Sequence, residues 1–263
     1  MAVTVTTMQK MKTEQDKITW LTAYDYSFAS LIDSQGVDAI LVGDSLGMVM
    51  QGHETPIPVT IEQSCYHTEC VARGVSNTMV VGDLPFGSYQ TSKEQAYENA
   101  VKLMQAGAHT VKLEGGELQV ETIQFLVERG LAVCAHIGLT PQSVHQLGGF
   151  KVQGRGDAAN QLIEDALGVE QAGAFAVVLE AVPQSLAETI TQKLTIPTIG
   201  IGAGPACDGQ VLVLQDMLGI YPKKSPKFSK NYMRGADSVQ NAVANYVSDV
   251  KGGDFPAPEH CFN

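Results

Sequence analysis

The chain has 263 residues, of which 44% are hydrophobic and only 17% are charged. Globular domains carry about 25% charged residues, so the sequence is too apolar and too lightly charged to be disordered. The 17 Lys and Arg residues oppose 28 Asp and Glu residues, which gives a net charge of -11. An acidic surface of this kind excludes a general nucleic-acid binder, because that function needs a basic footprint.

Neither a membrane span nor a disulfide framework is predicted. No apolar run approaches the roughly 20 residues that a spanning helix needs, and the N-terminal segment MAVTVTTMQKMKTEQDK lacks the apolar core of a signal peptide. The five cysteines are an odd number, are scattered along the chain and form no CxxC pair. We therefore expect a cytoplasmic protein that has no membrane partner.

Eight short apolar segments alternate with longer amphipathic segments. The predicted strands are 18–24, 39–44, 77–83, 109–115, 132–138, 174–182, 196–203 and 210–218. Nearly continuous apolar runs are typical of parallel strands that are covered on both faces. Eight βα-like units in about 250 residues predict an α/β fold, a (β/α)8 TIM barrel, as a single domain over 1–263. A doubly wound sheet is the alternative, but the first strand leads into AYDYSFAS rather than a GxGxxG segment.

The segments between the strands carry helix signals. Thr60 with Gln63, and Thr91 with Glu94, have the spacing of a capping box. Glycines that suit a left-handed C-cap precede five of the strands, namely Gly36, Gly74, Gly107, Gly130 and Gly173. Residues 1–17 predict an extra helix that closes the N-terminal end of the barrel. A final amphipathic helix is predicted over 236–250, followed by a tail over 251–263.

Ionisable residues stand at the ends of five predicted strands. They are Asp44, Asp83, Glu114, His136 and Glu180. The C-terminal strand ends of a TIM barrel form one rim, where active sites are built. Lys112 precedes Glu114 by two residues, so both side chains can face the barrel axis. A single strand-end acid is usually solvated or caps a helix, but a shared rim of such residues favours a functional site.

Several carboxylates in one mouth repel each other unless a cation or a proton neutralises them. Oxygen ligands favour a hard ion such as Mg²⁺, and one acid held at raised pKa can serve as a general base. Lys112 could offset charge and bind a substrate carboxylate. His136 could donate to a substrate oxygen or be a satisfied interior histidine, and the sequence leaves both open. The lysines at 223, 224, 227 and 230 fit either a solvated loop or a basic patch for an anionic substrate tail.

Motifs along nearly the whole chain resemble one known family. They are LTAYDYSFA, LVGDSLGMVMQGHETPIPVT, DLPFGSY, VKLEGG, HIGLTPQSV, GGFKVQGR, VLEAVP, IGIGAG and PKFSKNY, in that order. Together they closely resemble the ketopantoate (3-methyl-2-oxobutanoate) hydroxymethyltransferase family. The segment GDSLGMVMQGH and the pairing of VKLEGG with HIGLTPQSV are the most specific. The sequence departs from the family pattern at the N-terminus, over 217–225 and in the C-terminal tail.

The resemblance implies a TIM barrel of the phosphoenolpyruvate/pyruvate superfamily and the first committed step toward pantothenate. The implied reaction transfers a hydroxymethyl group from 5,10-methylenetetrahydrofolate to 3-methyl-2-oxobutanoate, giving 2-dehydropantoate and tetrahydrofolate. The resemblance also implies a homo-oligomer, a decamer of stacked pentamers. Assembly and folate contacts depend on the segments that depart from the family pattern.

The same resemblance implies roles for individual residues. Asp44 of GDS and Asp83 of GDLPF look like Mg²⁺ ligands, and Glu114 of KLEGG looks like a residue of the metal shell, through water or directly. Glu180 of VLEAVP looks like the catalytic base. Substrate contacts are implied for Asp44, Ser45, Asp83, Lys112 and His136.

Two other functions are compatible with an acidic barrel rim. One is a Mg²⁺-dependent oxo-acid lyase of the same superfamily, although no KKCGH-like segment of that group is present. The other is a catalytically silent barrel that only binds a ligand, which the loss of a rim acid would favour. Exchange of the C3 proton of 3-methyl-2-oxobutanoate in D₂O separates these hypotheses from the transferase.

Overall fold

The computed structural model describes residues 2–263, which form one closed barrel of eight parallel strands. The strands are β1 (Ile18–Thr22), β2 (Ala39–Val42), β3 (Met79–Asp83), β4 (Thr110–Glu114), β5 (Val133–Gly138), β6 (Ala176–Glu180), β7 (Thr198–Ile201) and β8 (Gly209–Leu212). Each strand pairs with the next, and β8 pairs with β1, so the sheet has no open edge. The predicted single-domain TIM barrel is confirmed.

Eleven α-helices surround or flank the barrel within the described range. They are α1 (Val5–Glu14), α2 (Tyr26–Ser34), α3 (Leu46–Val49), α4 (Ile61–Ala72), α5 (Lys93–Gln105), α6 (Val120–Val127), α7 (Val144–Leu147), α8 (Ala158–Gln171), α9 (Gln184–Lys193), α10 (Leu214–Met217) and α11 (Val239–Gly252). Short 3₁₀ turns cover Glu117–Gln119, Pro141–Ser143 and Pro258–His260. The helices bury their apolar faces against the outward side chains of the strands.

The predicted eighth strand, 210–218, is wrong in its second half. β8 ends at Leu212, and residues Leu214–Met217 form the single helical turn α10. The Leu214 N–H donates to the hydroxyl of Thr22 at 3.0 Å, which removes it from strand pairing. A buried helical turn is as apolar as a buried strand, so the pattern of side chains could not separate the two.

One predicted capping box is confirmed and the other is wrong. Thr60 and Gln63 form the reciprocal box at the start of α4. The N-cap of α5 is Ser92 rather than Thr91, because the Ser92 hydroxyl accepts from the backbone N–H of Gln95 at 3.2 Å. Thr91 and Ser92 each have a hydroxyl group and a long polar side chain three residues later, so the spacing alone could not identify the N-cap.

Of the five predicted C-cap glycines, four have positive φ, and Gly74 does not. A Cβ at Gly74 would lie 2.6 Å from the carbonyl oxygen of Tyr26 and 2.9 Å from the Cβ of Ala29. Glycine is therefore needed at this position for the close approach of the end of α4 to α2, and not for a left-handed conformation.

Helix α1 closes the N-terminal end of the barrel, as predicted. Met8 is fully buried, and the Gln9 side chain donates to the carbonyl of Thr195 at 2.6 Å. Lys12 Nζ lies 2.7 Å from Asp208 Oδ2, immediately before β8. Residue 1 of the predicted extension lies outside the described range.

The C-terminal tail runs from α11 to the opposite end of the barrel. The Gln184 N–H, at the start of α9, donates to the carbonyl of Phe262 at 2.9 Å. Gly202 follows β7 with a φ of +66°, and a Cβ there would lie 2.8 Å from Phe228 and 3.0 Å from Phe262. Glycine at this turn therefore leaves room for two aromatic rings at the mouth of the barrel.

Free thiols are found at all five cysteines, Cys65, Cys70, Cys134, Cys207 and Cys261. Between residues 2 and 263, no helix is long and apolar enough to cross a membrane.

Candidate active site

Strand register brings the predicted rim residues together at the C-terminal mouth. Asp83 on β3 pairs with Lys112 on β4, and Glu114 on β4 pairs with His136 on β5. Paired residues of neighbouring parallel strands point to the same side of the sheet. Val111 and Leu113 pack in the outer core, so Lys112 and Glu114 face the barrel interior, as the alternation predicted.

Lys112 is a buried cation among three acids. Its Nζ lies 2.6 Å from Asp83 Oδ1 and 3.9 Å from Glu114 Oε1, and its side chain is 3% exposed. Although burial opposes the charge, Asp83, Glu114 and Asp44 raise the pKa of Lys112 above its ordinary value. The ammonium group therefore stays charged and partly neutralises the rim.

The pKa values of the three acids differ because their neighbours differ. Burial and the charges of Asp83 and Glu114 raise the pKa of Asp44 well above its usual range. Burial also raises the pKa of Asp83, although Lys112 opposes this rise. Burial tends to raise the pKa of Glu114 too, but His136 and Lys112 outweigh it and lower that pKa. Negative charge is thus least tolerated at Asp44 and Asp83, where an added cation would relieve most repulsion.

His136 lies between two carboxylates. Its Nδ1 is 3.5 Å from Glu114 Oε1 and its Nε2 is 3.4 Å from Glu180 Oε2. Both separations are longer than an ordinary N–H···O bond, and neither ring nitrogen has a hydrogen-bond partner within residues 2–263. Burial would lower the pKa of His136, but the two carboxylates raise it to about 9. The ring is therefore positively charged at neutral pH, with N–H groups available to a substrate oxygen.

Gln142 is a residue of this rim that sequence reasoning missed. Its side-chain amide donates to Asp44 Oδ2 at 2.8 Å and to the carbonyl of Leu84 at 3.0 Å. Its carbonyl oxygen accepts from the Tyr89 hydroxyl at 2.7 Å, and its backbone N–H donates to Glu114 Oε2 at 3.0 Å. Gln142, in the loop after β5, thus orients two rim acids, Asp44 through its side chain and Glu114 through its backbone N–H.

The sequence contained a weak signal for Gln142. It stands just after Pro141 in HIGLTPQSV, four residues beyond the end of β5, where the loops of a TIM barrel carry functional residues. Its side chain bonds Asp44 and Leu84, which are 98 and 58 residues away in the sequence. No local sequence pattern predicts contacts over such separations.

Ser45 is held by a second hydrogen-bonded chain. Its hydroxyl and that of Tyr24 share a hydrogen bond, with 2.9 Å between the oxygens. The ring of His67 in turn bonds the carbonyl of Tyr24 through Nδ1 at 2.7 Å. The hydroxyl of Ser45 is therefore oriented beside Asp44, which leads into the short helix α3.

A cavity of about 550 Å³ opens above the rim. Leu41, Val178 and Val211 form apolar parts of its wall, and all the predicted site residues line it. Its outer wall also contains three of the four lysines noted in the sequence, Lys223, Lys224 and Lys227. The fourth, Lys230, lies 2.6 Å from Asp249 on α11 instead.

The donor set at this rim fits a hard divalent cation. Asp44 and Asp83 are adjacent, since the Asp44 N–H donates to Asp83 Oδ2 at 3.2 Å, and both carboxylates are buried. Within residues 2–263, no group of three or more His, Cys, Asp or Glu side chains is arranged as a complete metal site. Two carboxylates with other positions left to water and substrate are what Mg²⁺ usually takes.

Fold and site together define a class of protein. A closed (β/α)8 barrel carries buried acids, a lysine and a histidine around a cavity at its C-terminal mouth, which is the arrangement of a TIM-barrel enzyme.

Comparison with known proteins identifies the family. The family model described as ketopantoate hydroxymethyltransferase matches residues 2–258. A 3-methyl-2-oxobutanoate hydroxymethyltransferase of Neisseria gonorrhoeae is 59% identical over 260 residues, covering 99% of each chain. One from Azoarcus sp. is 61% identical over 262 residues, covering 99% of this chain and 97% of the relative. The chain therefore belongs to the ketopantoate hydroxymethyltransferase family, and it is an enzyme of the transferase class.

Solved structures with little sequence identity share the fold. A phosphonopyruvate hydrolase superposes with a TM-score of 0.62 at 12% identity, covering 96% of each chain. A 2,3-dimethylmalate lyase, described as a member of the PEP mutase/isocitrate lyase superfamily, gives a TM-score of 0.57 at 15% identity over 81% of each chain. These likenesses show that the barrel fold is shared.

Proposed function

We propose that the protein transfers a hydroxymethyl group from 5,10-methylenetetrahydrofolate to 3-methyl-2-oxobutanoate, giving 2-dehydropantoate and tetrahydrofolate, the first step of pantothenate biosynthesis. The proposal rests on one observation, that the proposed metal-binding acid and the proposed base lie on opposite sides of the barrel mouth. Asp44 follows β2 and Glu180 ends β6, and these strands are four apart in a barrel of eight. An oxo acid bound between them would present its two oxygens to one side and C3 to the other.

The chain supplies groups that would bind the oxygen end of the substrate. Lys112 and the Ser45 hydroxyl lie beside Asp44 and Asp83, and both line the cavity. A lysine offers a compact positive charge for the substrate carboxylate. Binding at this end would fix which face of C3 points to Glu180.

Asp44 and Asp83 would hold a Mg²⁺ ion, with Glu114 in its outer surroundings. Bound there, the ion would act as a Lewis acid toward the negative charge that develops on the substrate oxygen. The fit rests on the adjacent buried carboxylates and on the raised pKa values of Asp44 and Asp83.

Glu180 is the proposed base. Its side chain is 14% exposed, lines the cavity and lies 3.4 Å from the positively charged ring of His136. The Glu180 carboxylate would take the proton from C3, and the electron pair of the C–H bond would form the enolate. His136 would hold Glu180 in place and donate an N–H to a substrate oxygen.

The enolate carbon would then attack the one-carbon unit of the carrier. The methylene carbon is bonded to two nitrogens of the carrier, and the first of these C–N bonds breaks as the ring opens. A new C–C bond then forms at C3, water supplies the hydroxyl oxygen and the second C–N bond breaks. The proton from C3 and one proton from water end on the two carrier nitrogens, which gives tetrahydrofolate. Holding both substrates in one cavity contributes mainly through proximity and orientation. The cavity of about 550 Å³ is large enough to hold the oxo acid beside part of the carrier.

We also propose a cytoplasmic homo-oligomer, a decamer. Large apolar side chains at the surface support assembly, since Tyr66 is 63% exposed and Leu118 is 91% exposed. Light scattering after size-exclusion chromatography would give the mass, and a monomer of 28.1 kDa would contradict assembly.

The test of the function is a reconstitution with purified protein, Mg²⁺, 3-methyl-2-oxobutanoate and 5,10-methylenetetrahydrofolate. We expect 2-dehydropantoate by mass spectrometry and, without the carrier, exchange of the C3 proton in D₂O that a chelator abolishes. Cleavage of an oxo acid without the carrier would indicate the lyase instead. The absence of both proton exchange and product would indicate the silent barrel.

A further inference from the structure

The cavity has a second wall that the proposed chemistry does not use. The catalytic rim is built from the ends of β2 to β6, whereas the facing wall follows β8 and includes Asp216, Tyr221 and Phe228. The oxo acid is bound at the rim in the proposed reaction. The second wall is therefore left to receive the carrier.

Asp216 is the unusual residue of this wall. It is 7% exposed, and its Oδ1 has no hydrogen-bond partner within residues 2–263. A buried carboxylate oxygen without a partner is costly, so such atoms commonly mark a place where a ligand binds. The hydroxyl of Tyr221, in the same wall, also has no partner in that range.

The other acids that line the cavity are already engaged. Asp83, Glu114 and Glu180 contact Lys112 or His136, and Asp44 accepts from the side chain of Gln142. Glu54 lies 2.9 Å from Lys223, with its side chain 89% exposed. Burial raises the pKa of Asp216, and a hydrogen bond with the side chain of Ser225 opposes that rise. Within the described residues, its Oδ1 nevertheless has no hydrogen-bond partner.

Asp216 also lies near the oxo-acid end of the cavity. Burial raises the pKa of Tyr24, and the charges of both Asp44 and Asp216 add to that rise. The Tyr24 hydroxyl bonds Ser45, the residue after Asp44. Leu214, in the same helical turn as Asp216, donates its N–H to the hydroxyl of Thr22 at 3.0 Å, and Thr22 also lines the cavity. The turn that carries Asp216 is therefore fixed to the cavity wall at the C-terminal end of β1.

We propose that Asp216 binds the head group of the one-carbon carrier by accepting hydrogen bonds from the adjacent ring N–H and amino group of its reduced pterin. This inference rests on the proposed function, which supplies the carrier. Two neighbouring N–H donors match the two oxygens of a carboxylate, as a guanidinium group does. The rings of Tyr221, Phe228 and Phe262 also line the cavity and offer faces against which the flat pyrimidine ring of the reduced pterin can pack.

The test compares Asp216→Asn with the wild type and with a matched control, Asp237→Asn, whose side chain is exposed in the segment before α11. Loss of a charged hydrogen-bond acceptor lowers affinity by about 10- to 100-fold. We expect the KM for 5,10-methylenetetrahydrofolate to rise by about that factor in Asp216→Asn. The KM for the oxo acid should stay within about twofold, since the rim is intact. Asp237→Asn should match the wild type in both.

Calorimetry with tetrahydrofolate and with its 2-desamino-2-methyl analogue tests the contact itself. The wild type should bind the analogue at least about 10-fold more weakly, because a methyl group cannot donate to Asp216. Asp216→Asn should lose most of this discrimination. An unchanged carrier KM together with unchanged discrimination in the variant would overturn the inference. A wild type that forms no product with the carrier would instead overturn the proposed function.

Discussion

Lys112→Met tests how strongly the rim depends on its one buried lysine. Methionine keeps an unbranched side chain of similar length but removes the ammonium that lies 2.6 Å from Asp83 and 3.9 Å from Glu114. Three acids, Asp44, Asp83 and Glu114, would then share the mouth of the barrel, where His136 contacts Glu114.

The expected loss of stability follows from these distances. At an effective dielectric of about 20, the attraction is about 6 kcal/mol to Asp83 and about 4 kcal/mol to Glu114. The cost of desolvating the ammonium group offsets part of both. Removing one partner of a buried ion pair usually costs about 3–5 kcal/mol, and we expect a loss of that size in the free energy of unfolding at pH 7.

The loss should shrink as the pH falls. The pKa of Lys112 is raised in the folded state, so the wild type keeps this contribution at every pH below about 10.4. The raised pKa values of Asp44 and Asp83 mean that their ionised forms destabilise the fold above about pH 3.9, and protonation relieves this. The deficit of the variant should therefore be smaller at pH 5 than at pH 7.

Urea denaturation with a chelator, at pH 5 and pH 7, measures this directly. Adding Mg²⁺ should restore more stability to Lys112→Met than to the wild type, since the ion would take over charge neutralisation. Lys193→Met, on an exposed residue in the last turn of α9, is the control and should lose less than about 1 kcal/mol. A variant as stable as the wild type at pH 7 would refute the electrostatic account of the rim.

Four further variants probe the metal site, the Gln142 contacts and the closed end of the barrel. Asp44→Asn and Asp83→Asn should each weaken Mg²⁺ binding by at least about tenfold in calorimetry, and normal binding by both would remove them as ligands. Gln142→Leu should lower the free energy of unfolding by about 2–4 kcal/mol. It should also raise the Kd for Mg²⁺, because Asp44 loses its hydrogen-bond donor. An unchanged Kd would show that the role of Gln142 is purely structural. Lys12→Met should cost about 1–2 kcal/mol by urea denaturation, since Asp208 loses a part-buried partner, and no loss would contradict that role for α1.

The strands and the rim could be predicted because they follow from local rules. A parallel strand covered on both faces reads as a continuous apolar run, and alternation decides which of Val111 and Lys112 faces inward. Because all eight strands point the same way, their C-terminal ends had to meet. Residues that are far apart in sequence, such as Asp44 and Glu180, could therefore be assigned to one site.

The remaining features depend on contacts that the sequence does not record. Gln142 lies in the 3₁₀ turn after β5 and Asp216 lies in the helical turn α10 after β8. Their importance comes from residues far away in the sequence that the barrel brings close to them. The ends of helices and strands also depend on such contacts. The choice of Ser92 as the cap and the helical turn after Leu212 depend on single hydrogen bonds whose alternatives have the same spacing or the same apolar character.

The central claim is that Glu180 removes the C3 proton of the oxo acid, and Glu180→Gln tests it most directly. Glutamine keeps the shape of the side chain but cannot take the proton. With 3-methyl-2-oxobutanoate and Mg²⁺ in D₂O, NMR should show C3 exchange reduced by at least about 100-fold, while Mg²⁺ and the oxo acid still bind. Exchange at a near-normal rate in Glu180→Gln would show that another group is the base.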